Sequence, residues 1–333
     1  MDSMPYGFLE QLCSTLSDEQ LRGILELNAP LWMERAATHL RKRKYFTVTV
    51  KVFPAPRSAE QNGDRHSVSF WEIQKDGAPG EGEDRGTVTF EDLKTRERRF
   101  LRLRRINFIF EHYRGEAVTT NFEEIVNFIT SPALMDKNSA LSVLSPEDWR
   151  LNTNGLLRIL NTEKFLAFRK LCLFNEGGDI CERILPFQIL NNTHLNKLVM
   201  RGDQDWLRED KPCVARFVNK KGPKSLFVVC DDVLQNNATY IKQWLRDPTF
   251  EFELNIGQNF LVGHSVAPYL HRLDDDFYGL VHPNDSRACV WASVWQQHGH
   301  ELFSMKFARD NARMLETVSE ECQKSQCYLC QQK

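Results

Sequence analysis

The chain of 333 residues lacks the patterns typical of membrane, secreted or nucleic-acid-binding proteins. It has no apolar run near the roughly 20 residues that a transmembrane helix needs, and residues 1–12 lack the basic, apolar lead of a signal peptide. The formal net charge is only −2, although 26% of the residues are charged, which argues against nucleic acid or an acidic membrane as the main partner. We therefore expect a protein of the cytoplasm or the nucleus.

Cysteines with the spacing of a disulfide framework or a zinc site are also missing. The nine cysteines are scattered and odd in number, which is typical of reduced thiols in an intracellular compartment. Only one close pair occurs among Cys322, Cys327 and Cys330. A structural zinc site needs four ligands, commonly in two close pairs. His298 and His300 lie together in a predicted turn, but nothing fixes them near these cysteines. We predict no metal site and no cofactor.

Motifs of common enzyme families are absent from the sequence as well. It has no G-x-S-x-G nucleophile elbow and no dinucleotide fingerprint. Residues 222–225 resemble the end of a phosphate-binding loop, but they lack its upstream glycine and lead into a predicted strand. The two aspartates at 231–232 and the three at 274–276 have no neighbours that require the burial on which catalytic pKa shifts depend. We therefore predict a protein without catalytic activity.

One short apolar pattern does recur with even spacing, between residues 164 and 258. Its four anchor leucines are Leu171, Leu198, Leu226 and Leu254. They are 27, 28 and 28 residues apart, with helix-type segments such as 179–185 and 240–245 between them. A strand-helix unit of this size cannot bury its own apolar face, so neighbouring units must stack with parallel strands. We predict an irregular β-α array over residues 113–258 that resembles leucine-rich repeats; an ordinary α/β sheet with even connections is the alternative.

Before this array, the sequence alternates apolar and polar side chains with a period of two. Residues 45–53, 66–73 and 86–90 have this pattern, and the arginine-rich run 99–110 continues it. We predict an antiparallel β-rich segment over residues 44–112. The arginines of the run would lie on one solvated face of their strand; a nucleic-acid groove is the alternative.

After the array, the sequence predicts a loop followed by a hairpin. Residues 287–295 and 301–307 alternate and bracket a turn, which is typical of two antiparallel strands. We assign residues 259–310 to a C-terminal cap made of a loop and this β-hairpin, and residues 311–333 to a tail.

The first 40 residues have the apolar spacing of three compact helices. Pro5 is placed to start the first helix and Ser17 to cap the second. This segment resembles an F-box in three features. A proline leads its first helix, a leucine precedes a short run of acidic residues that ends in leucine, and a third helix carries a tryptophan. The residues at matching positions are Pro5, Leu9, Leu12, Leu16, Leu21, Leu25 and Trp32. The basic run 40–44 that follows is expected to be a solvated helix end, with a nuclear-import or anion patch as the alternative.

The resemblance to divergent F-box proteins, of which nematodes have large sets, implies a function. These seven residues would bind a Skp-family adaptor on a cullin scaffold, and the rest of the chain would bind an unknown protein substrate for ubiquitination. We then expect a partly exposed apolar patch on a module, residues 1–43, whose core is separate from that of the repeats. The alternative is a helical cap on a repeat-domain interaction or scaffold protein with no ligase role. In either case we expect a mixed chain, α+β or α/β.

Overall fold

The structure is a computed structural model, and it describes the following residues: 6–53, 65–73, 86–111, 118–145, 154–175, 180–202, 211–222, 224–229, 237–257, 270–274, 277–297 and 300–311. The chain divides into two compact units. Unit 1 contains Met1–Cys172 and Gly178–Leu195, and unit 2 contains Leu173–Gly177 and Asn196–Lys333. The division falls inside the segment 113–258 that the sequence predicts to be one array. Helices and strands are mixed in the chain, as predicted.

Unit 1 begins with the three predicted helices. They are α1 (Tyr6–Thr15), α2 (Asp18–Leu25) and α3 (Pro30–Lys42). Ser17 caps α2 as predicted, because its side chain accepts a hydrogen bond from the Gln20 amide while the Gln20 side chain accepts one from the Ser17 amide. Proline at the first position of α3 fits a site where no backbone donor is needed.

The strands of unit 1 are β1 (Lys44–Phe53), β2 (Arg65–Ile73), β3 (Thr87–Val88), β4 (Leu101–Phe110) and β5 (Met135–Leu144). Its other helices are α4 (Phe90–Thr95), α5 (Phe122–Ile129), α6 (Asn154–Leu160) and α7 (Ile180–Asn191). Strand β6 (Lys170–Asn175) contains the boundary between the two units. The predicted helices at 121–129 and 179–185 are thus confirmed within the described residues, and α7 continues beyond them through Pro186.

The direction of β4 differs from the prediction. Strand β1 pairs with β2 in antiparallel fashion, but it pairs with β4 in parallel, with Lys44 opposite Leu101. The predicted antiparallel segment 44–112 is therefore wrong for β4. The reason is α4, which begins at Phe90 because Thr89 and Asp92 form a capping box, so that a helix connects the sheet to β4. Strand β5 is in turn parallel to β4, and parallel pairing therefore starts well before residue 113.

Unit 2 has the strands β7 (Lys197–Gly202), β8 (Lys224–Val229), β9 (Phe252–Gly257), β10 (His271–Asp274), β11 (Phe277–His282), β12 (Asp285–Gln297) and β13 (His300–Arg309). Its described helices are α8 (Lys211–Val218) and α9 (Asn237–Arg246). Strands β7, β8 and β9 are parallel neighbours, with Leu198 opposite Leu226 and Leu226 opposite Leu254. The predicted register is confirmed for these three leucines, and Leu171 is buried on β6.

The predicted hairpin is confirmed, but the loop before it is not a loop throughout. Strands β12 and β13 are antiparallel, and β13 also pairs with β9 in antiparallel fashion. Within the stretch 259–286, however, β10 and β11 add two further antiparallel strands. The turn into β12 depends on side chains, since the amide of Asn284 donates a hydrogen bond to Nδ1 of His282 over 3.1 Å. His298, Cys322, Cys327, Cys330 and the tail from residue 312 lie outside the described residues.

Candidate functional site

The helical module, defined here as α1, α2 and α3, has an apolar core of its own. Leu9 and Leu21 are fully buried in this core, and Trp32 is 9% exposed. The expected exposure is therefore wrong for Leu9 and Leu21, because three short helices must use their own apolar stripes to pack together. Leu12, Leu16 and Leu25 are half-buried and pack against the same core. Pro5, the seventh predicted residue, lies outside the described residues.

Some apolar side chains of the module remain outside its core. Tyr6, Phe8 and Leu27 are 53%, 49% and 46% exposed. Phe8 and Leu12 are four residues apart and share one face of α1, and Leu16 follows at the same spacing, directly after the last residue of the helix; we name this set the α1 stripe. The sequence reasoning missed Phe8, although the same spacing, continued backward from Leu12, would have found it.

Two buried arginines bind the carbonyl groups at the end of α1. Arg43 Nη2 donates to the carbonyl of Cys13 over 2.7 Å, and Arg102 Nη2 donates to the carbonyl of Ser14. The last carbonyls of a helix have no partner within the helix and form the negative end of its dipole, so a guanidinium group stabilises them. Both arginines were predicted to be solvated, Arg43 in the basic run and Arg102 on a wet strand face. Both are buried instead.

Further ion pairs and hydrogen bonds surround this helix end. Arg43 Nη1 lies 2.8 Å from Asp18 Oδ1, while Glu10 Oε1 lies 2.9 Å from both His39 Nε2 and Arg99 Nη1. Burial lowers the pKa of His39, and this effect outweighs the hydrogen bond to Glu10, which raises it. The helical module is therefore joined to β4 and to the turn before it through polar bonds, although its apolar core is separate.

A second feature is the half-exposed face of the parallel strands in unit 2. Alternate residues of β7, β8 and β9 are buried, while Val199, Phe227 and Asn255 lie opposite one another on the other face and are half-buried. We name this row the array face. Two of its three side chains are apolar and one is polar, and such a mixture is typical of a protein-binding surface.

Features of other functional classes are missing from the part of the chain that the structure describes. There, no group of three or more histidine, cysteine, aspartate or glutamate side chains could hold a metal ion. No helix in that part is long and apolar enough to cross a membrane. Cys289 is fully buried, and its burial raises the pKa of the thiol to about 11, so this thiol is poorly suited to be a nucleophile.

Comparison of the chain with known protein-family models, with curated proteins and with solved structures gave no match. The resemblance to F-box proteins therefore stays a prediction from the residues of the helical module.

Proposed function

We propose that this chain is a non-catalytic substrate receptor of a Skp-cullin-F-box type ubiquitin ligase, and that the helical module binds the adaptor. The observation that carries the proposal is the apolar surface that remains on the module after its core has formed. Phe8 and Leu27 are nearly half exposed, and Leu12 and Leu25 are half-buried beside the core. A module that only covered its own domain would have no need of such side chains at its surface.

The array face is the proposed substrate-binding surface. It presents an aromatic residue, Phe227, between an aliphatic side chain and an amide on adjacent strands. Aromatic side chains are enriched at the energetic centre of protein interfaces, where they are surrounded by polar groups. Receptors of the class would hold a protein target in this way, without any chemistry of their own.

A scaffold protein with no ligase role is the second candidate, and one observation favours it. The carbonyls at the end of α1 accept hydrogen bonds from Arg43 and Arg102, and the second of these residues belongs to β4. Such buried bonds are typical of helices that form an integral part of a domain. In this case the apolar side chains on the module would bind no adaptor.

Adaptor binding by a charged variant distinguishes the two functions. Phe8→Glu places a carboxylate on the α1 stripe at an exposed position, so we expect it to leave folding intact. Its binding to a purified Skp-family adaptor should weaken by tenfold or more, since a central aromatic residue contributes about 2 kcal/mol or more to an interface. Titration calorimetry with the full chain measures this effect.

Val118→Glu is the matched control. Val118 is 42% exposed in unit 1 but lies outside the helical module, so the same change of charge should leave adaptor binding unchanged. If the wild-type chain binds no purified Skp-family adaptor, the ligase role is rejected and the scaffold function stands. Equal weakening in the two variants would also contradict docking through the α1 stripe.

A further inference from the structure

A cavity in unit 1, of about 310 Å³, lies beside the corner between α1 and α2. Thr15, Leu16 and Gln20 line it from this corner, and Met135, at the start of β5, contributes to another wall. The size is at the lower end of the range for small-molecule sites in proteins, which is roughly 300 to 1,000 Å³. Of the α1 stripe only Leu16 lines this cavity, and the adaptor test uses Phe8, so ligand binding here is tested as a separate function.

The charges around this cavity have one sign. Arg102, Arg169 and His194 line it from three different parts of unit 1. Among the described residues that line the cavity, none is aspartate or glutamate. The positive charge of two guanidinium groups attracts an anion, and the fork of Arg169 and the imidazole of His194 can donate hydrogen bonds to it, since a guanidinium fork matches the geometry of phosphate oxygens.

The burial of Arg102 adds to this electrostatic preference. Its side chain is held in place by hydrogen bonds to the carbonyls of Leu101 and Ser14, and the residue is only 2% exposed. A charge that is fixed in a poorly solvated place attracts an anion more strongly than the same charge in water. The exposed Arg169 and His194 can move toward a ligand from the solvent side at little cost.

We propose that this cavity binds a phosphate monoester group. Arg102 contributes a fixed positive charge, because its two terminal nitrogens already donate to carbonyl groups, while Arg169 offers a guanidinium fork and His194 an imidazole. The three terminal oxygens and the double negative charge of a phosphate monoester suit this set better than a carboxylate does. The side-chain NH2 of Gln20 provides a further donor, whereas the hydroxyl of Thr15 already donates to the carbonyl of Leu12. The group would belong to a small phosphorylated molecule or to a phosphorylated side chain of a peptide.

Calorimetric titration of the full chain at constant ionic strength tests the proposal with three probes. These are inorganic phosphate, free phosphoserine, and the blocked tripeptide Gly-phosphoserine-Gly. We expect saturable binding of at least one probe with one site per chain. Tighter binding of the tripeptide than of free phosphoserine would identify a phosphorylated peptide as the source of the group. The reverse order would identify a small molecule.

Variants at the exposed side of the cavity show whether the site is the one proposed. Arg169→Gln should weaken binding about tenfold, the size expected for loss of one charge-assisted hydrogen-bonded pair. Arg158→Gln makes the same change at an exposed position of α6 that does not line the cavity, and it should have no effect. Ala167→Phe should abolish binding by filling the cavity without a change of charge. These substitutions avoid the structural Arg102.

Three results would overturn the proposal. The first is a wild-type chain that shows no saturable binding of any probe. The second is equal weakening by Arg158→Gln and Arg169→Gln, which would indicate attraction to the general surface charge. The third is unchanged binding by a folded Ala167→Phe variant. None of these results bears on adaptor binding, which is measured with a different ligand and different variants.

Discussion

At the scale of single residues, His66 gives the clearest link between burial and pH. It stacks on Phe122 with ring centroids 3.9 Å apart, and its Nε2 has no hydrogen-bond partner among the described residues. Burial lowers the pKa of His66 to about 4 from an ordinary value near 6.5. The unfolded chain therefore binds a proton at this residue at a higher pH than the folded chain does.

We predict that His66 makes the protein less stable in mild acid. Its contribution is fully present above about pH 6.5 and is lost as the pH falls toward about 4, because protonation then favours the unfolded state. His66→Phe keeps the ring stacking but removes the titration. Urea unfolding at pH 7 and pH 5 should show a smaller loss of stability for the variant than for the wild type; equal losses would contradict the prediction.

Gly202 is a position where only glycine fits. Its φ is +148°, and an added Cβ would lie 2.1 Å from the carbonyl oxygen of Asn175. We predict that Gly202→Ala lowers the free energy of unfolding by about 2 kcal/mol or more, because it combines an unfavourable backbone conformation with a clash. Gly23→Ala is the control, since nothing lies within 4 Å of its Cβ and alanine favours the helix α2. Similar urea midpoints for the two variants would refute this account of Gly202.

At the scale of elements, the three leucines in register determine how β7, β8 and β9 pack. Leu226 lies between Leu198 and Leu254, and all three are fully buried. We predict that Leu226→Ala costs roughly 2 to 5 kcal/mol of unfolding free energy in chemical denaturation, through lost burial and a residual cavity. Val199→Ala, on the half-exposed array face, should cost clearly less. A larger loss for Val199→Ala would mean that the buried face has been assigned to the wrong side.

At the scale of the whole molecule, the helical module and the first strands belong to the same compact unit. A buried hydrogen bond joins α1 to Arg43 at the end of α3, and a partly buried one joins it to Arg102 in β4. The sequence predicts a core separate from that of the repeats, and it gives no sign of these polar bonds to β4. The apolar core of the module is its own, but its polar bonds to β4 are shared.

We therefore predict that damage to the core of the module spreads to the strands of unit 1. Leu9→Ala should cost about 2 to 5 kcal/mol and should raise amide hydrogen exchange in α1, α2 and α3 and also in β1 and β4. Hydrogen-exchange mass spectrometry of the variant and the wild type measures both regions. Faster exchange confined to the three helices would instead mean that the module opens by itself.

The sequence by itself determined the elements whose signals are local. Ser17 and the apolar spacing of the first 40 residues predicted three helices, and the even spacing of Leu198, Leu226 and Leu254 predicted parallel strands in register. These features depend on periodicity and capping, which are properties of short segments. The resemblance of the module to an F-box also comes from such a segment, and adaptor binding remains its test.

Only the tertiary structure decided the features that depend on partners distant in sequence. Arg102 has the alternating pattern of a strand, yet it is buried because the end of α1, 88 residues earlier, provides a carbonyl for it. Strand β4 is parallel to β1 because a short capped helix precedes it. A periodic pattern shows which side chains share a face. It does not show which segment covers that face, since this depends on non-local packing and hydrogen bonds.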